Sequence, residues 1–136
     1  MRVVLDTNIL VSALIAPAGK PAAIYNAWEA GKFTLLICAT QLDELRATLH
    51  KPKVAELIKP YKAGRLVNQI KKLAEDIDPL PPVKRSPDPT DDFLLALSEA
   101  GEADYLVTGD KSGLLVLGRH NATRIVSARE FAALFG

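Results

Sequence analysis

Apolar residues in this chain fall into short continuous runs that alternate with longer stripes of helical period. Arg2 to Leu5 is β-branched and apolar and reads as a buried strand. Thr7 to Ala16 reads as a helix stopped by Pro17 and Gly19, because the residue before a proline is pushed out of helical geometry. Lys20 to Ala30 carries Ala23, Ile24, Ala27 and Trp28 at helical spacing, with Gly31 placed to cap its C-terminus. Phe33 to Cys38 is a second strand. Thr40 then caps a helix with Leu42, Leu45 and Leu49 on its inner face, Glu44 beside that face, and an end near Lys51-Pro52. Val54 to Ile58 and Tyr61 to Ala74 read as helices separated by Pro60, and Glu75 to Asp78 as a short strand before a proline-rich loop, Pro79 to Pro89. Thr90 caps a helix whose Phe93, Leu94, Leu97 and Ala100 face inward, and Gly101 closes it. The remainder reads as a strand over Tyr105 to Val107, a short helix over Ser112 to Leu117, a strand over Arg124 to Val126 and a helix over Ser127 to Phe135.

Continuously apolar strands that take turns with helices predict an α/β fold, a three-layer α/β/α sandwich around a mostly parallel sheet. With 136 residues and 49% hydrophobic content, the chain suits one domain over 1–136 and is short for two. The net charge of +1 marks neither a strongly basic nucleic-acid binder nor an acidic mimic, so a polyanion would be recognised locally. The lone Cys38 excludes an intramolecular disulfide, no Cys/His cluster has zinc spacing, and the composition suits a reducing cytoplasm. Asp6 and Asn8 interrupt the first apolar run and no segment approaches membrane-spanning length, so a soluble, unprocessed cytoplasmic protein with no membrane association is expected.

Acidic residues change the picture. Asp6 ends the first strand, Glu44 lies in an amphipathic helix, Asp91-Asp92 opens another, and Asp110 follows the strand Leu106-Val107. In open α/β sheets, strand ends of this kind are where ligands bind. Singly, each acid has a structural reading: Asp6 and Asp110 as turn residues, Asp91 and Asp92 as helix-start acids, Glu44 as a solvated residue. Together, ionised carboxylates a few Å apart repel one another and must take up protons or a cation. Oxygen-only donors select hard ions, Mg²⁺ or Mn²⁺, which leave positions for a phosphate ester. One such ion acidifies water, and two about 3.5–4 Å apart also stabilise the leaving oxygen. Asp92 is favoured over Asp91 because it begins a helical turn followed by Leu95 and Ala96, whereas Asp91 lies nearer the cap.

No covalent nucleophile competes. Cys38 reads as a buried small hydrophobe, and His50 and His120 as surface histidines outside any catalytic spacing. Thr7 and Asn8 serve either to cap the first helix or to hold Asp6 and a substrate phosphate, and Thr108 to bond a phosphate oxygen or a neighbouring carboxylate. Lys84, Arg85 and Lys111 are candidate phosphate contacts, while Lys51, Lys53, Lys59, Lys62, Arg65, Lys71 and Lys72 read either as a track for a nucleic-acid backbone or as a solvated face.

Val4-Leu5-Asp6-Thr7-Asn8, Glu44, Asp88-Pro89-Thr90-Asp91-Asp92 and Thr108-Gly109-Asp110-Lys111 resemble, in order and spacing, the PIN domain, over nearly the whole chain. They also resemble small prokaryotic PIN proteins that serve as toxins of toxin–antitoxin modules and cleave RNA with Mg²⁺ or Mn²⁺. The resemblance implies Asp6, Glu44, Asp92 and Asp110 as catalytic, metal-holding acids, and Asn8 and Thr108 as polar support. It also implies a homodimer and a small antitoxin protein whose C-terminal segment covers the acidic cleft. Phe93, after Asp92, departs from the polar residue that relatives often carry there. The alternatives are a structure-specific DNA nuclease, a catalytically silent RNA- or protein-binding PIN module, and a phospho-accepting receiver domain, in which Glu44 and the Asp91-Asp92 pair have no role.

Overall fold

The computed structural model describes residues 1–109 and 113–136. Its strands are β1 (Arg2–Leu5), β2 (Thr34–Ile37), β3 (Glu75–Asp76), β4 (Tyr105–Val107), β5 (Arg119–His120) and β6 (Thr123–Val126). They form one sheet in the order β3-β2-β1-β4-β6-β5, parallel throughout except for β5, which runs antiparallel to β6. The helices are α1 (Thr7–Ile15), α2 (Lys20–Glu29), α3 (Ala39–Leu49), α4 (Pro52–Ala55), α5 (Pro60–Leu73), α6 (Asp92–Ala100) and α7 (Ala128–Ala132). The mostly parallel α/β arrangement expected from the alternation is therefore the one observed.

The pleat sorts each strand between two cores. Val3, Leu5, Leu35, Ile37, Val107 and Val126 pack on one side against α1, α2, α3, α5 and α7. Val4, Leu36, Leu106 and Ile125 pack on the other against Leu94, Leu95 and Leu97 of α6, and against Leu114 of a 3-10 turn at Leu114–Leu117. Ile77, Leu80 and Val83 extend this thinner second layer from the proline-rich segment. Burial on both faces is why the runs Val3 to Leu5, Leu35 to Ile37 and Leu106 to Val107 are continuously apolar.

Tertiary contacts move several local expectations. Helix α3 starts at Ala39 with Cys38 as its cap, not at Thr40, because Asp78 Oδ2 accepts from the Ala39 amide at 3.3 Å and supplies the missing acceptor. Pro52 begins α4 rather than ending α3, since a proline at the first helical position forfeits no hydrogen bond. Thr90 does not cap α6: Asp88 caps a 3-10 turn at Pro89–Asp91, and α6 follows with Asp91 at its cap. Ala23 and Ala100, expected inside, are exposed; Ala22 and Tyr25 are buried in α2, and Leu94 through Ser98 in α6. The expected helix over Ser112 to Leu117 is the 3-10 turn, with Ser112 outside the described residues, and the β5–β6 hairpin has no counterpart in the sequence reading. The last helix is α7, held by a Ser127–Glu130 capping box and followed by a 3-10 turn at Ala133–Phe135. Gly31 does cap α2, at φ +78°, with Lys32 N bonding Ala27 O at 3.0 Å and Gly31 N bonding Trp28 O at 2.9 Å. Among the described residues no single helix is long and apolar enough to cross a membrane.

Two glycines yield opposite predictions. A Cβ on Gly101 would lie 2.6 Å from Leu36 Cδ1 and 3.1 Å from the Leu97 carbonyl, inside a packed core, whereas one on Gly64, within α5, meets nothing within 4 Å. Gly101→Ala is expected to destabilise the fold by about 1–3 kcal/mol. Gly64→Ala is expected to stabilise it by roughly 0.5–1 kcal/mol. Urea denaturation checks both, and a Gly101→Ala midpoint equal to the parent's would refute the close approach.

Candidate active site

Two adjacent parallel strands end side by side and build the floor of the site. The sheet ladder runs one residue past each of them: Asp6 N donates to Val107 O at 2.9 Å and Thr108 N to Val126 O at 3.0 Å. Asp6 is then the cap of α1, its Oδ1 accepting from Asn8 N at 3.3 Å, while its Oδ2 accepts from Thr108 Oγ1 at 2.8 Å. The carboxylate is almost wholly buried, and these donors offset part of its lost hydration. Of the alternatives for Thr108, contact with a carboxylate is the one observed, and its partner lies across the sheet.

Thr7 takes a different part from either one expected. Its buried hydroxyl donates to Glu44 Oε2 at 2.8 Å, so the residue after Asp6 brings the α3 acid to the same strand end. One turn earlier on α3, Gln41 is fully buried and its Nε2 donates to Leu5 O at 2.6 Å. Helix α3 is thus registered on the end of β1 by two side chains. Gln41 Oε1 has no hydrogen-bond partner among the described residues, a buried acceptor of the kind that costs about 1–3 kcal/mol when left unpaired. The sequence signal for Gln41 is its place at the head of the row 41, 45, 49, where a polar residue occupies an otherwise apolar stripe.

The start of α6 is organised separately. Asp88 Oδ1 accepts from both the amide and the hydroxyl of Thr90, at 3.0 and 2.8 Å, which holds the Asp88 carboxyl below its ordinary value. Half-buried Asp92 uses Oδ1 to accept from the amides of Arg85 at 3.0 Å and Ser86 at 2.7 Å. Asp91 occupies the cap position, at the positive end of the helix dipole. The hydrogen bonds of the Asp92 side chain run to the loop, not to Asp6 or Glu44. Asp110 and Lys111 lie outside the described residues.

The structure therefore joins Asp6, Thr7, Glu44 and Thr108 in one neighbourhood and gives Asp92 a loop to hold. Among the described residues no three His, Cys, Asp or Glu side chains are grouped so as to hold an ion. The donors that meet where β1 and β4 end are carboxylate and hydroxyl oxygens, a chemistry that fits a hard divalent cation.

Elsewhere, Cys38 is buried, and burial pushes its thiol above the ordinary pKa, which disfavours the thiolate. His50 is exposed and its Nδ1 lies 2.7 Å from Arg46 O. His120, expected at the surface, is buried between Arg85 and Glu99. Its sequence signal is weak, because both partners are distant in the chain. On the basic helices Arg65 pairs with Glu29 at 3.2 Å, while Lys59, Lys71 and Lys72 stand in solvent.

A sequence profile described as PIN domain matches residues 2–112. The fold is similar to VapBC2 from Rickettsia felis, solved bound to a DNA fragment from its promoter, with 21% identity, a TM-score of 0.57, and coverage of 93% of this chain and 98% of that one. It is also similar to the PIN domain of human SMG5, with 16% identity, a TM-score of 0.57 and coverage of 100% of both chains. No curated protein matches the chain. At these identities the two structures support the fold, and the profile supports the family. The chain belongs to the PIN-domain family, whose members are generally nucleases that use divalent metal ions.

Proposed function

We propose that this PIN domain is an endoribonuclease that hydrolyses RNA phosphodiester bonds with Mg²⁺ or Mn²⁺, using Asp6, Glu44, Asp92 and Asp110 as its acids. The observation that carries this reading is the pair of hydrogen bonds, Thr108 to Asp6 and Thr7 to Glu44, which bring carboxylates from distant segments to one edge of a parallel sheet. When bound, the cation supplies charge neutralisation at the phosphate and acidifies water. The chain's own residues supply orientation. Thr108 and the Asn8 amide fix the two oxygens of Asp6, Thr7 fixes one oxygen of Glu44, and the Arg85 and Ser86 amides fix one oxygen of Asp92. Lys111, beside Asp110 in the sequence, and Asp91 are assigned supporting roles at the phosphate and the helix cap.

For partners we assign, besides RNA, a second copy of the chain and a small antitoxin protein. The resemblance of the acidic motifs to small prokaryotic PIN toxins supports this, as does a fold shared with VapBC2.

Purified protein is expected to cut single-stranded RNA in Mn²⁺ or Mg²⁺ and to stop in EDTA. Asp6→Asn, Glu44→Gln and Asp110→Asn should each lower the rate by at least about 100-fold, the scale set by removing one preorganised electrostatic group. Asp92→Asn and Asp91→Asn, assayed side by side, separate the two acids at the start of α6: the loss belongs to Asp92, and full activity in Asp92→Asn would remove it from the set. Faster cutting of DNA of matched sequence would replace RNA as the substrate class.

Thr7→Val keeps the side-chain shape and removes the hydroxyl that holds Glu44. It should lower RNA cleavage roughly tenfold, the equivalent of ~1.4 kcal/mol for one hydrogen bond to a charged group, while leaving circular dichroism unchanged. Cleavage at the parent rate would show that Glu44 needs no such support.

A further inference from the structure

His120 is a buried titratable side chain for which the proposed chemistry has no use. It ends β5 and is 7% exposed. Its Nδ1 lies 3.0 Å from Arg85 Nη1, and its Nε2 lies 3.0 Å from Glu99 Oε1. A guanidinium donates and never accepts, so Nδ1 is the acceptor and the ring proton sits on Nε2, directed at Glu99. Glu99 Oε1 also accepts from Asn121 Nδ2 at 2.9 Å, and Arg85 Nη1 also donates to Arg119 O at 2.6 Å. These contacts form a continuous chain from α6, through the β5–β6 hairpin, to the proline-rich loop.

That loop needs an anchor. It holds Pro79, Pro81, Pro82, Pro87 and Pro89, and among the described residues no main-chain to main-chain hydrogen bond involves residues 78–87. Packing of Leu80 and Val83 and the polar contacts of Arg85 and Ser86 are what fix it. Arg85 is held twice: its side chain by the hairpin, its amide by Asp92.

We propose that His120 is a positioning residue for Asp92. Through Arg85 it sets the 85–86 backbone so that two amides take Oδ1 of Asp92, leaving Oδ2, which has no hydrogen bond among the described residues, as the oxygen available to a ligand. This rests on the reading of Asp92 as an active-site acid. Asp92 therefore owes its orientation to the turn of β5 and β6 at the far edge of the sheet.

The test compares the full chain with His120→Ala, Arg85→Ala and Arg85→Lys. Arg85→Ala is a surface change that retains the backbone amide, so it remains informative if His120→Ala folds poorly. Two readouts need no activity: hydrogen exchange of the Arg85 and Ser86 amides, and the side-chain carboxyl ¹³C shift of Asp92. Both Ala variants should speed exchange of these two amides by at least about tenfold and move the Asp92 resonance, with β1 and β4 exchange unchanged, while Arg85→Lys recovers part of the effect. RNA cleavage should lose kcat at an unchanged KM. Parent-like exchange and resonance in both Ala variants would overturn the proposal, as would unchanged kcat in both when Asp92→Asn is inactive. A parent that cuts no nucleic acid refutes the nuclease reading, and the two activity-free readouts then decide the positioning role.

Discussion

A hydroxyl of β4's end donating to a carboxylate of β1's end is the contact on which the remainder of this site depends. Thr108 and Asp6 are 102 residues apart, and they meet only because β1 and β4 are neighbours in register, Leu5 beside Val107. Once Asp6 is fixed, its other oxygen starts α1. The first residue of α1, Thr7, then reaches Glu44, and α3 is locked by Gln41 onto the carbonyl that precedes Asp6. A nearly buried carboxylate would oppose folding if bare; here the same donors that offset its desolvation also give it direction.

Much of this frame is legible in the amino-acid sequence, for a physical reason. A strand segment buried on both faces has to be apolar at every position, so Val3 to Leu5 ending abruptly in an acid marks both a central strand and its ligand-facing end. Helix stops at Pro17 and Gly31 are local backbone effects and are equally visible. Features that depend on a distant partner are not. Cys38 displaces Thr40 as a cap because Asp78 arrives from the end of β3, and Ala100 is exposed because α6 buries a continuous run instead of one stripe. The imidazole of His120 is inside because Arg85 and Glu99, 35 and 21 residues away, satisfy both nitrogens. Among the acids, position along the chain separates Asp91 from Asp92 by one step, whereas the structure separates them by what they hold.

The two faces of the sheet divide the labour. The face carrying α1, α2, α3, α5 and α7 holds the larger core and presents Asp6, Thr7 and Glu44 from rigid elements. The face under α6 is thinner and is completed by the proline-rich segment, whose five prolines limit the backbone's freedom without adding to the hydrogen-bonded ladder. Asp6 and Glu44 are thus oriented by hydroxyls of the strand ends and of α1, and Asp92 by two amides of a side-chain-tethered loop.

The strand order has a consequence in time as well as space. β1 leads the chain, yet one of its neighbours in the sheet is made late: β4 and Thr108 come after α6. A ribosome must therefore release 102 further residues before the strand end that carries Asp6 gains its second flank, and contacts of such long sequence separation are slow to form. The acidic edge is thus assembled only once β4 has been made, and a nascent or truncated chain ending before β4 lacks the hydroxyl that directs its first acid.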